Sequence, residues 1–187
     1  MGAYFQTQIQ SKEMESPLAL STYFLKFREW AYFNTDECQA IYKAIRENNP
    51  CIIKTVCDYD DDNLYSYNTK KVKKLKSYEF SHCGVYVSHQ RKEFFNVSTI
   101  IETTKRLGYF PDNYADDNDK YVLIVSPLHL LTRKSNCRMG GGDINDDVAN
   151  AKYVATWYGD LIHYQDSEFG LTGYTDLSNQ LIHLDKF

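Results

Sequence analysis

The alternation of apolar and polar positions divides the chain into short units. Residues 3–11 read as a first strand, apolar at its start. Residues 18–33, LALSTYFLKFREWAYF, are apolar and aromatic, with a period that fits helix and strand equally. A helix follows. Asn34 and Glu37 form the two halves of a capping box, and Cys38, Ile41, Tyr42 and Ile45 recur at helical spacing as one apolar face. Asn48-Asn49-Pro50 ends it, and CIIKTVC at 51–57 begins at once as a buried strand. Helix and strand so tightly joined predict a packed pair.

In the middle of the chain, CGVYVSH and KEFFNVS flank a polar turn and predict a hairpin around 83–97. Thr99 and Glu102 make a second capping box, with Ile100, Ile101 and Leu107 as the apolar side, Gly108 at the C-terminal cap and Pro111 beyond. YVLIVSP at 121–127 is continuously apolar and reads as a buried strand stopped by proline. AKYVATWY (151–158) and LIHYQ (161–165), separated by Gly159-Asp160, predict a hairpin with a type II′ turn. Residues 174–185 fit a short helix or a strand. There is no internal repeat and no long linker. The sum is one domain over 1–187 of α+β class, a mostly antiparallel sheet with two or three helices packed on one face.

Composition strengthens the sheet. Sixteen tyrosines and ten phenylalanines in 187 residues favour strands and argue against disorder. The net charge of −4 makes direct nucleic-acid binding a poor expectation, because phosphate affinity needs clustered lysine and arginine. TKKVKKLK at 69–76 is the one basic run. An acidic segment precedes it, and a lysine-guarded edge strand explains it better than a nucleic-acid contact. No apolar run nears the ~18 residues of a membrane span, and the opening residues carry no leader pattern. Five scattered cysteines without CxxC read as reduced thiols. A cytoplasmic location is the expectation, with no membrane and no cofactor. Whether the chain forms a homo-oligomer stays open.

The candidate chemistry centres on RMGGGDINDD at 138–147. A phosphate-binding P-loop needs lysine and a hydroxyl residue after its last glycine, yet Asp143 follows here. The GxGxxG spacing of a dinucleotide site is missing. As a calcium loop it breaks at Val148 and Val154, where glycine and glutamate belong. A looser reading survives. Arg138, the bare backbone of Gly140, Gly141 and Gly142, and Asp143 suit a nucleotide-like ligand, with Trp157 available to stack on it. The plain alternative is a connection whose charges are simply solvated. The acidic, tyrosine-bearing loops, through Asp60, Asp61, Tyr65, Asp116 and Asp117, suit a basic partner protein, against a plain role in solubility.

The histidines are dispersed. His82-Cys83 with His89 offers metal ligands, but no cluster has zinc-like spacing, so no metal site is expected. His82 and His163 are weak candidates for a catalytic base in a small hydrolase or nuclease working with carboxylates. No GxSxG, HExxH or kinase-type motif supports such an enzyme.

The opening MGAYFQTQI, the unit WAYFNTDECQAIYKAIRENNPCIIKTVCDYDDD, then MGGGDIND and YVATWYGDLI resemble a loose group of small phage and prophage proteins of low-GC bacteria that has no established activity. GGGD with Trp157 and Asp160 carries most of the specificity, although Ile144 stands where an aromatic would be looked for. The resemblance implies context only: an accessory protein of a mobile element, working in the host cytoplasm. Such proteins counter host defences by inhibiting a defence protein, for example a CRISPR effector, or by sequestering a nucleotide signal.

Overall fold

The computed structural model describes residues 5–21, 36–57, 70–71, 84–107, 122–134, 151–182 and 184–186. In chain order the strands are β1 (Phe5–Ser11), β2 (Leu18–Ser21), β3 (Cys51–Cys57), β4 (Lys70–Lys71), β5 (Val85–Ser88), β6 (Glu93–Asn96), β7 (Val122–Ile124), β8 (Leu161–Gln165), β9 (Thr175–Asp176) and β10 (Leu184–Lys186). The helices are α1 (Asp36–Glu47), α2 (Val97–Arg106) and α3 (Pro127–Thr132), with a 3₁₀ turn at Ala151–Tyr153. Eight strands form one sheet in the order β4-β2-β1-β3-β8-β5-β6-β9, while β7 and β10 pair separately. The pairs inside the large sheet are antiparallel, and only the end strands β4 and β9 run parallel to their neighbours. The expected α+β class is therefore what the chain adopts.

Strand periodicity decides which face is covered. Phe5, Thr7 and Ile9 of β1 lie opposite Cys57, Thr55 and Ile53 of β3. The same face continues through Ile162 and Tyr164 of β8, Tyr86 of β5 and Phe95 of β6. Onto it pack Cys38, Ile41, Tyr42 and Ile45 from α1, Val97 and Ile100 from α2, and Leu128, Leu130 and Leu131 from α3, in one apolar cluster. All three helices thus lie on one face, as expected. Tyr42 meets Tyr86 edge-on at 5.1 Å, and Tyr86 stacks on Phe95 at 5.2 Å, which are favourable aromatic geometries. The Tyr42 hydroxyl hydrogen-bonds Ser126 Oγ at 2.8 Å, so its buried polar end is satisfied. On the opposite face Val85, Val87 and Phe94 gather Leu171 and Tyr174 into a smaller cluster.

Buried threonines cross-link this core. Thr7 Oγ1 lies 3.1 Å from Thr55 Oγ1, which lies 3.2 Å from Thr132 Oγ1, and Thr132 donates to the Leu128 carbonyl at 2.8 Å. At the join between α1 and β3, the Asn49 side chain donates to the Tyr164 carbonyl and accepts from the Tyr164 amide, each at 2.8 Å. With Cys51 already opposite Ile162, the Asn49 amide extends the β3–β8 ladder by one step.

Three expectations are corrected. Residues 151–158 form no hairpin with 161–165; β8 pairs with β3 and β5 instead. The amides of Ala155 and Trp157 bond the carbonyls of Leu130 and Leu131 at 2.9 and 2.8 Å. This satisfies the end of α3, whose last carbonyls have no partner within the helix. The segment 121–127 is also only in part a strand: Pro127 opens α3 rather than merely stopping β7, because its missing N–H costs nothing at a first helical position. Helix α2 begins before the Thr99–Glu102 box, capped by Asn96, whose side chain accepts from the Ser98 amide at 3.0 Å. Asn34 lies outside the described residues.

Gly84 sits at the entry to β5 with φ +103, and a Cβ there would run into the Tyr164 ring, with Cζ and the hydroxyl oxygen both at 2.9 Å. Gly84→Ala is expected to destabilise by about 2–3 kcal/mol through positive φ and overpacking. Urea unfolding checks this; a change below about 0.5 kcal/mol would contradict the close approach.

Candidate functional site

The end of the sheet where β5 turns into β6 gathers several chemically capable side chains. The β5–β8 register sets Val87 opposite His163 and Ser88 opposite Ile162. Strand alternation therefore sends Ser88 into the helix-covered face and His163 to the other. His89 follows directly in the turn. Its ring centroid lies 4.5 Å from that of His163, with the planes at 70°. His89 Nδ1 is hydrogen-bonded to the Tyr174 hydroxyl at 2.8 Å. The turn is tied to β8 by Gln90, whose side chain accepts from the Leu161 amide at 2.9 Å. Partial burial, and then the neighbouring His89, hold the His163 imidazole below the usual histidine range.

On the inner side, Asp160 is buried and accepts from Ser88 Oγ and from Arg91 Nε, both at 2.7 Å. Glu93 accepts from the Trp157 indole at 2.8 Å. Ser88 gives its proton to a carboxylate that is itself neutralised by an arginine, while His89 bonds Tyr174 on the other face. A nucleophile–base relay needs serine and imidazole in contact, and these two groups point apart. Asp160 and Glu93 instead fasten the turn and the segment before β8. No group of three or more His, Cys, Asp or Glu residues suited to a metal occurs among the described residues.

The glycine-rich stretch is approached from a second corner. Arg133 is buried and bridges to Thr55 in parallel, and the Lys134 amide bonds the Thr55 carbonyl at 2.9 Å. Residues 155 and 157 return to Leu130 and Leu131. The chain thus leaves at Lys134 and comes back to the same short helix.

Arg138, Gly140, Gly141, Gly142 and Asp143 lie outside the described residues, as do Asp60, Asp61, Tyr65, Asp116, Asp117 and His82. His163 is described, and the titratable group beside it is His89. Trp157 is a correction. It is 0% exposed, 5.6 Å from the Phe95 ring, with its N–H spent on Glu93. An aromatic enclosed in the core offers no face to a ligand. The proximity of His89 to His163 escaped the sequence reading, because only the β5–β8 register creates it. The one available signal was that both histidines stand in or beside alternating apolar runs. No protein-family model, no curated protein and no solved structure matches the chain.

Proposed function

We propose that the protein acts by binding, as an accessory protein of a mobile element that counters host defence, and that it sequesters a nucleotide-like ligand around Arg138, Gly140, Gly141, Gly142 and Asp143. One observation carries this reading. The flanks of the 135–150 stretch are both fixed by backbone hydrogen bonds to β3 and α3, at Lys134 and at Ala155 and Trp157. A stretch whose two flanks are held on a rigid base is well placed to carry binding residues. Arginine beside a bare glycine backbone suits a phosphate group, and carboxylates suit the donors of sugar and base. Trp157 takes no part, so any stacking comes from another aromatic.

Thermal denaturation of the full chain against a panel of mono-, di- and cyclic nucleotides tests the reading. A bound nucleotide at a hundredfold excess over Kd adds about 2.7 kcal/mol and raises the Tm, and Arg138→Ala removes the shift. No shift with any nucleotide, or a shift untouched by Arg138→Ala, overturns the ligand assignment. Inhibition of a host defence protein through the acidic loops is then the outcome to pursue, by salt-sensitive pull-down.

A further inference from the structure

The geometry points to a divalent transition-metal site made by His89 and His163, with Tyr174 orienting His89. The site lies on the face of the β5–β8 ladder opposite the helices and does not depend on the nucleotide reading. The separation of the two rings is the first argument. A metal–nitrogen bond of about 2.0–2.1 Å places an imidazole centroid roughly 3.2 Å from the ion. Two imidazoles bound to one ion at about 90° and that bond length have centroids about 4.5 Å apart, the separation found here with the planes at 70°. That angle belongs to square-planar or octahedral coordination, the preference of Cu²⁺ and Ni²⁺. Tetrahedral Zn²⁺ would want the rings farther apart.

The second argument is the state of the ligand atoms. The Tyr174 hydroxyl engages His89 Nδ1, which leaves Nε2 as the ligand atom. An outer partner on the second ring nitrogen is the usual companion of a metal-bound histidine. The ring nitrogens of His163 take no hydrogen bond from any described residue.

The third argument is the base. His163 lies within a paired strand opposite fully buried Val87, and Gln90 ties the turn that carries His89 to the start of β8. Arg91, the nearest guanidinium in the turn, is drawn to Asp160, so its charge is compensated. Among the described residues no third metal-ligating side chain joins the pair. Counting the described residues alone, water or an exogenous donor would fill the remaining coordination positions.

The test is a titration of the tag-free, chelator-treated full chain with Cu²⁺ and with Ni²⁺, read by calorimetry and, for Cu²⁺, by electron paramagnetic resonance. The expected result is one equivalent of tight sites, with nitrogen superhyperfine structure from two imidazoles. His89→Ala and His163→Ala should each weaken binding at least tenfold, and the double variant little further. Tyr174→Phe should weaken it about tenfold while both nitrogens persist. The proposal is overturned if one-equivalent binding is missing below about 1 mM, if the spectrum shows no pair of nitrogens, or if both alanine variants keep the original affinity. The spectrum of the unmodified chain decides the matter even where a variant fails to fold.

Discussion

Trp157→Ala is expected to destabilise the domain by about 3–5 kcal/mol, the range for removing a buried tryptophan. The indole is fully enclosed, packs beside Phe95 and sits within the main apolar cluster. Its backbone amide also completes α3, and its N–H is held by Glu93. Trp157→Phe separates the contributions. It keeps most of the apolar contact but leaves Glu93 without that donor, for which about 1–3 kcal/mol is expected. Urea unfolding of both variants reads the difference. Equal losses would mean that the Glu93 bond, rather than packing, dominates, and a loss under about 1 kcal/mol in Trp157→Ala would remove Trp157 from the core.

Acid is the second large lever. Burial pushes the His129 imidazole from 6.5 down to about 3. The unfolded chain takes up this proton near pH 6.5, but the folded chain only near pH 3. Between these values the unfolded state holds more protons, so stability falls as pH falls, by about 1.4 kcal/mol per pH unit. The contribution is fully present above pH 6.5, and about 2 kcal/mol of it is gone by pH 5. His163, held low and only partly buried, acts in the same direction with less weight. Urea midpoints between pH 7.5 and 4.5 should slope down for the natural chain and flatten in His129→Leu. An unchanged slope in that variant would assign the acid sensitivity to other groups.

The legible parts of the fold were those in which neighbours in sequence decide the outcome. The face Cys38, Ile41, Tyr42 and Ile45 is buried throughout, and β3 follows the Asn48-Asn49-Pro50 stop without a gap. The β5–β6 hairpin closes through its own polar turn. The misread parts were those in which a distant partner outbids local pattern. AKYVATWY alternates like a strand, but the open carbonyls at the end of α3 take its amides, and the core takes its tryptophan. The His89–His163 contact likewise follows from the pairing of β8 with β5 across a long stretch of chain. Spacing along the sequence could not reveal it. GGGD, by contrast, was singled out by composition alone, and the structure adds to it only the fixing of its flanks.

The threonine ladder of the core has a direction. Thr132 commits its single hydroxyl proton to the Leu128 carbonyl, so toward Thr55 it only accepts. Thr55 must then donate to Thr132, and Thr7 must donate to Thr55. Three hydroxyl dipoles consequently align from β1 through β3 to α3, each polarising the next. The sense of the chain is set entirely at its helical end, so its three members are unequal: Thr7 is a terminal donor, whereas Thr132 orders the two behind it.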